Sequence, residues 1–345
     1  MSDRIVNVAY IGNGKSANRY HIPFVLNRPE KFRVSKIYDR VIRTELWGEV
    51  RGATYTDNID DVLADPEIDV VEVVTPSAFH VEWATKALEA GKHVTVDKPF
   101  SLTVSEAQGL YDLAAEKGVT IQCYQNRRFD SDFVTAKKVL ESGKLGHVFE
   151  IVTSYDYWRP HMLDGMALDP INNAGYGHAT HCLDQLVSWL GIPSRTRSEL
   201  RQIHGEGTAN DYFDFDLYYD EAGLKATAHA NYSTAFLRPS FEIYGTNGAY
   251  VKWDKDQQER DLKHFYLPAG HEDFGIDAPE QYGTLRYNDE TGQLREERIV
   301  SERTCYSEFY DALYETVVNG AEQLVKPAET LECIRILEDG LEGLR

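Results

Sequence analysis

The chain has 345 residues, 42% hydrophobic and 27% charged, proportions that suit a soluble globular protein of about two domains and exclude collagen-like or disordered classes. Its 36 basic and 56 acidic residues leave a net charge of −20, which repels nucleic acid and anionic membrane at long range. No apolar run approaches the roughly 18–20 residues that span a bilayer. The opening MSDRIVNVAYIG reads as a first strand ending in Gly-Asn-Gly rather than as a cleaved leader. Cys123, Cys182, Cys305 and Cys333 show no CxxC spacing, so the expected location is a reducing cytoplasm.

The first 125 residues alternate short β-branched runs with helical stretches. Strands are expected at 5–11, 33–38, 53–56, 70–74, 93–96 and 119–124. Helices are expected at 15–26, 60–64, 78–90 and 104–116, with Gly91 and Gly118 ending the last two. This alternation predicts an α/β domain, a doubly wound Rossmann parallel sheet over residues 1–125. After a helix at 130–142 the apolar period becomes two. Phe213, Phe215, Leu217 and Tyr219 share one strand face, and Ala226, Ala228 and Ala230 share another. The segments 241–244 and 250–253 flank Gly245-Thr-Asn-Gly248 as a hairpin, and 147–157 and 199–205 add two strands. Two helices, 306–318 and 328–341, close the chain. Residues 126–345 are therefore expected to form an α+β domain with a large, mostly antiparallel, open-faced sheet.

Gly12-Asn-Gly14-Lys15-Ser-Ala17 is a G-x-G-x-x-A loop between the first strand and the first helix, the context in which that pattern holds a dinucleotide. Gly12 permits the tight turn, Gly14 admits a pyrophosphate to the backbone, Ala17 packs helix on strand, and the helix N-terminus attracts the anion. Asp39, at the end of the second strand, suits ribose hydroxyls and opposes a 2′-phosphate, which favours NAD. Arg40 and Arg43 are either solvated loop charges or partners for that phosphate, which keeps NADP open. Asp97-Lys98-Pro99 ends the fifth strand, at the sheet edge where ligands of such folds bind. A desolvated lysine there can exchange a proton with a substrate hydroxyl, or it is a surface lysine in an X-Pro turn. His178 and His181 lack the further ligands of a metal site, and none is expected.

The ordered set Gly12-x-Gly14-x-x-Ala17, Thr75-Pro76-Ser77 with His80, Ala90-Gly91-Lys92-His93 and Asp97-Lys98-Pro99 resembles the Gfo/Idh/MocA oxidoreductase family. Tyr124–Asp130 with Asp132-Phe133, Arg159-Pro160, His181 with Asp184-Gln185, Tyr250–Glu259 and Ala278–Gly283 resemble its scyllo-inositol dehydrogenase-like branch. The resemblance implies an active site between the two domains and NAD- or NADP-dependent oxidation of a sugar or cyclic polyol hydroxyl, or the reverse. It assigns the family's E-K-P lysine to Lys98, with Asp97 one methylene shorter than the family glutamate. It puts Thr75, Pro76 and His80 at the nicotinamide end, with packing at the helix start as the other reading of His80. The family's D-x-x-x-H pair falls on Gly177 and His181, so the aspartate is absent. Lys98 and His181 suffice, or His178 or Asp184 compensates, or dehydrogenation is weak or lost. Asp184 either fixes the His181 tautomer or has a purely structural partner. Tyr155, Tyr157, Trp158, Arg159 and Tyr176 suit a wall for a polyol ring, or are packing. Asn126, Arg127 and Arg128 lie just past the sixth strand, where Asn126 reads as a cofactor residue and one arginine as structural.

The leading expectation is thus an NAD(P)-dependent dehydrogenase in which Lys98, aided by His181, moves the proton. The alternatives are a non-catalytic NAD-linked sugar sensor, or an enzyme that keeps NAD bound for glycoside cleavage or epimerisation. The expected partners are a small sugar or polyol and copies of the same chain, as a homodimer or homotetramer through the C-terminal sheet.

Overall fold

The computed structural model describes residues 4–42, 44–161 and 174–342; Arg43 lies outside them. Two compact units are formed. One runs up to Asn126 and takes in Asp261–Phe274 and Tyr306–Leu331; the other comprises Arg127–Arg260, Gly275–Cys305 and the residues from Glu332 on.

In the first unit six strands pair in parallel: β1 (Val6–Ile11), β2 (Phe32–Tyr38), β3 (Thr54–Thr56), β4 (Val70–Val73), β5 (His93–Val96) and β6 (Ile121–Cys123). Their order, β3-β2-β1-β4-β5-β6, reverses direction between β1 and β4, the switch point at which ligands of open α/β sheets bind. β4 is buried along its whole length, as a parallel strand covered on both faces must be. The helix Val104–Lys117 starts in a capping box: Thr103 accepts from the Glu106 amide while Glu106 reaches back to the Thr103 amide.

A single cut near residue 125 leaves out part of this unit. The helix Ser307–Asn319 packs into it through aromatic rings, with Phe309 4.8 Å from Tyr124 and Tyr306 5.2 Å from Phe24 between ring centres. Arg28 and Lys31 clasp Asp311 at its surface. Because the contacts join residues 185 to 283 positions apart, no local pattern announces them.

The second unit holds eight strands: β7 (Val148–Ser154), β8 (Arg195–Arg201), β9 (Tyr212–Tyr219), β10 (Leu224–Asn231), β11 (Phe241–Gly245), β12 (Gly248–Lys252), β13 (Gly283–Asn288) and β14 (Leu294–Ile299). They are ordered β14-β13-β12-β11-β7-β10-β9-β8, and every pair is antiparallel except β7 with β10. The period-two reading of β9 and β10 holds: Phe213, Phe215, Leu217, Ala226, Ala228 and Ala230 are fully buried. The helix Thr180–Leu190 covers β10. Gly340 of the closing helix comes so near that a Cβ there lies 2.7 Å from Leu200 and 2.9 Å from Phe215. β8 starts four residues earlier than expected, and β13 and β14 are additions to the expected set. β14, LREERI, is largely exposed and pairs charge against charge, Arg286 on Glu296, so its sequence reads as a solvated run.

Candidate active site

β1 delivers the chain into Gly12 at the switch point. Gly12 has φ +113°, and a Cβ there would lie 2.9 Å from the Val74 carbonyl oxygen after β4. Only glycine lets the two strand ends approach so closely. A Cβ on Gly14 meets no atom within 4 Å, so open space lies before the helical residues 15–26. Ala17 is buried and Lys15 exposed on that helix. Gly12, Asn13, Gly14, Asp39, Arg40, Thr75 and Pro76, with Phe79 and Trp83, line a cavity of about 310 Å³.

Asp39 is pinned at its rim: one carboxylate oxygen accepts from the Asn13 amide at 3.0 Å and the other from the Val41 amide at 3.3 Å. Arg40 is exposed beside it with no carboxylate partner among the described residues. Thr75 Oγ1 and Asn13 Nδ2 are buried without a hydrogen-bond partner among the described residues. A glycine turn at Gly12 with no room for a side chain, an open helix start, a fixed acid and orphaned polar atoms fit a dinucleotide. His80 does not line this cavity. It is buried, with Nδ1 2.7 Å from the Pro99 carbonyl oxygen and Nε2 2.9 Å from that of Thr75, and so ties the two strand-end loops together. Asn126 is buried just past β6, away from the lining.

Asp97 and Lys98 follow β5, and the Lys98–Pro99 bond is cis. Asp97 Oδ1 accepts from the Lys98 amide at 2.7 Å, and Oδ2 accepts from Ser16 Oγ at 2.5 Å. Behind it lies His21, fully buried, with Nε2 3.8 Å from Asp97 and Nδ1 3.0 Å from Glu72 of β4. The Tyr124 ring packs 3.9 Å from the imidazole, and Tyr310 Oη lies 3.2 Å from Nδ1. Burial alone pushes His21 down, but the Asp97 carboxylate 3.8 Å away and the hydrogen bond to Glu72 override it and raise the pKa to about 9. Asp97 is driven well below the carboxylate range: burial opposes this, and the nearby His21 and Lys98 charges and the Ser16 hydrogen bond prevail. Glu72, more deeply desolvated, moves up.

In the second unit His181 is buried on the helix Thr180–Leu190. Asp184 on the same helix is buried and holds Arg128 in a bidentate pair, at 2.8 and 2.7 Å. Arg127 instead bonds Asp130 and Glu259. Tyr176 is buried; His178 bonds the Tyr232 hydroxyl and lies 5.2 Å from the Tyr157 ring. Burial pushes Tyr157 up to about 12. The Arg159 guanidinium sits 4.1 Å over the same ring, and Trp158 is exposed. A Cβ on Gly177 meets nothing within 4 Å. Sequence reading passed over His21, Tyr232 and Lys255. His21 lies four residues after Ala17, on the same helix face, which was the available signal. Lys255 lies within the Tyr250–Glu259 stretch that resembles the family branch, but the resemblance assigns it no role.

A doubly wound sheet with a glycine loop at its switch point, joined to a unit built on a large mixed sheet, defines an oxidoreductase that uses a nicotinamide dinucleotide. The chain belongs to the Gfo/Idh/MocA family: residues 6–125 match its oxidoreductase family, NAD-binding Rossmann fold, and residues 133–251 match its C-terminal domain. It is 39% identical over 339 residues to the uncharacterized oxidoreductase YhhX of Escherichia coli K12, spanning 98% of this chain and 96% of that one. A solved oxidoreductase from Bacillus cereus is 41% identical with TM-score 0.92, over 97% and 95% of the two chains. The scyllo-inositol 2-dehydrogenase (NADP(+)) IolW of Bacillus subtilis 168 is 30% identical over 98% of this chain and 93% of its own.

The raised pKa of His21 sets a testable pH dependence. Its stabilising contribution is complete below its ordinary value of 6.5 and is lost as pH rises through about 9. Thermal unfolding of the wild type should therefore weaken between pH 7 and 9.5. His21→Gln should unfold earlier at pH 7, by about 3–5 kcal/mol as for a broken buried pair, and lack that slope. Parallel curves for the two proteins contradict the assignment.

Proposed function

We propose that this chain is an NAD(P)-dependent dehydrogenase acting on a hydroxyl, or in reverse a carbonyl, of a sugar or cyclic polyol, with NAD preferred. The observation that carries the reading is Lys98, half-buried at the carboxyl end of β5 with its amide held by Asp97, on the sheet edge that also bears the glycine loop. The inositol dehydrogenase activity of the relative IolW supports the substrate class. Gly12, Gly14 and the amides at the helix start, with Lys15 beside them, would hold the pyrophosphate, and Asp39 the adenosine ribose, with Arg40 next to it. Thr75 and Pro76 would meet the nicotinamide end, their loop held by His80. When bound, the nicotinamide supplies the hydride donor or acceptor.

Lys98 moves the proton of the substrate hydroxyl, and His181 assists. Tyr157, Arg159, His178 and Tyr176 orient the substrate. Asp184 acts at a distance, by fixing Arg128. The glycine at 177, where the family pattern has an aspartate, favours one second reading, a non-catalytic sugar sensor. No helix among the described residues is long and apolar enough to cross a membrane, and the proposed location is the cytoplasm. Assembly as a homodimer or homotetramer is proposed through the sheet face that carries Glu150, Asp216 and Lys225, opposite the helix-covered alanines of β10; a monomer by light scattering at micromolar concentration contradicts it.

Reduced-nicotinamide absorbance with a panel of inositols and aldoses is the direct test. Turnover is expected, and Lys98→Met should lower kcat by on the order of 100- to 10,000-fold while tryptophan quenching still reports cofactor binding. Binding without turnover in the wild type favours the sensor. Asp39→Ala should shift preference toward NADP by about tenfold, one lost charge-assisted contact, and Arg40→Ala should shift it toward NAD. An unchanged NAD/NADP ratio in both variants removes the pair from cofactor selection.

A further inference from the structure

Lys255 follows β12 on the loop before the short helix Gln257–Lys263. Its ammonium stands 4.0 Å from the centre of the Tyr155 ring and 4.6 Å from that of Tyr157. No carboxylate lies within ion-pair distance of it among the described residues. Of the two carboxylates that act on it, Asp156 is committed to His229 and Arg238, while Asp132 is buried, bonded by Ser240 and pushed up to about 7 by that burial. Three residues earlier, at the end of β12, Lys252 shows how this fold treats a purely structural buried lysine. Lys252 is fully buried and closed by Asp277 at 2.6 Å and by the Gln281 carbonyl oxygen. Lys255 has been given aromatic faces and, among the described residues, no counter-ion within ion-pair distance.

Two further cationic groups and a histidine ring gather on the same rings. The Arg159 guanidinium is on Tyr157, Arg127 is 5.7 Å from Tyr155, and His178 packs against both tyrosines. The residue before His178 is Gly177, which adds neither bulk nor charge. Tyrosine faces hold a cation by their quadrupole but leave its outward N–H groups unsatisfied. An anion that accepts those hydrogens completes the arrangement with a charge-assisted bond. We propose that Lys255, with Arg159 beside it on Tyr157, is an anion receptor, and that the sugar or polyol handled by this chain carries a carboxylate or a phosphate. The inference rests on the sugar or polyol reading above and narrows it.

Burial pushes the Lys255 pKa down to about 8; Arg127 acts in the same sense, while Cys182, Asp132 and Asp156 oppose it. A bound anion pulls it back up, so near pH 8.5 binding should take up a proton.

The test is calorimetric titration of the full chain, saturated with cofactor, at pH 7 and low salt. The probes are D-glucose, D-glucuronate and D-glucose 6-phosphate. At least one anionic sugar should bind tenfold or more tightly than D-glucose, and which one does so separates carboxylate from phosphate. In Lys255→Leu, and in Lys255→Gln as a second variant in case the first does not fold, that ratio should collapse to about one. Lys255→Arg should restore most of it, and proton uptake at pH 8.5 should vanish with the Leu and Gln variants. Absence of any preference in the wild type, including no binding of either anion, overturns the proposal, as does a preference that survives the loss of Lys255. Anion binding that depends on Lys255 without turnover overturns the dehydrogenase reading instead and leaves the receptor standing.

Discussion

One buried imidazole shared by two carboxylates fixes the chemical edge of the first unit. His21 comes from the helix that follows the glycine loop, Glu72 from β4 and Asp97 from the end of β5. Three separate segments therefore meet at one charge. With His21 neutral, two carboxylates would share the interior with no cation between them, an arrangement whose desolvation cost is several kcal/mol per ion. With His21 protonated the triad carries one net negative charge, and Lys98 stands beside it to reduce that further. The aromatic surround makes the same choice: Tyr124 and Tyr310 close the imidazole from water, so its neighbours and not the solvent set its charge.

The lysine at this edge depends on that anchor. Asp97 is one methylene shorter than the glutamate of the family pattern, and the missing reach is met from the other side. Ser16 donates to it from the start of the helix, and His21 stands behind it, so the carboxylate is drawn toward the glycine loop. Its second oxygen takes the Lys98 amide. Loop, strand end and lysine backbone are thereby coupled through one carboxylate. His80 adds a second tie between the Thr75 and Pro99 carbonyls. The segment that completes the pocket of His21 arrives from Tyr310, which explains why a helix almost 300 residues away belongs to this unit.

Much of this was legible from residue order alone. The glycine loop, Asp39, the alternation of β1 to β6 and the period-two faces of β9 and β10 are local patterns, each governed by backbone geometry within a dozen residues. What stayed hidden is non-local or unpatterned. β14 looks like a solvated charge run because its strand stability comes from cross-strand pairs with β13. Asp184 admitted two partners, and its bidentate bond to Arg128 depends on a turn 56 residues earlier. His21 is a lone histidine whose meaning lies in two acids from distant strands. Lys255, between Asp254 and Asp256, reads as a surface charge, although the adjacent acids are not its partners.

The central claim is that His21 is held as a cation inside the fold by Glu72 and Asp97. The most direct measurement is a pH titration of the histidine side chains by nitrogen-15 NMR, with the His21 resonance assigned by its loss in His21→Gln. The account predicts an imidazolium pattern of shifts for His21 that persists through neutral pH and titrates near pH 9. A resonance that is already neutral at pH 7.5, or that titrates close to 6.5 like a solvated histidine, contradicts it.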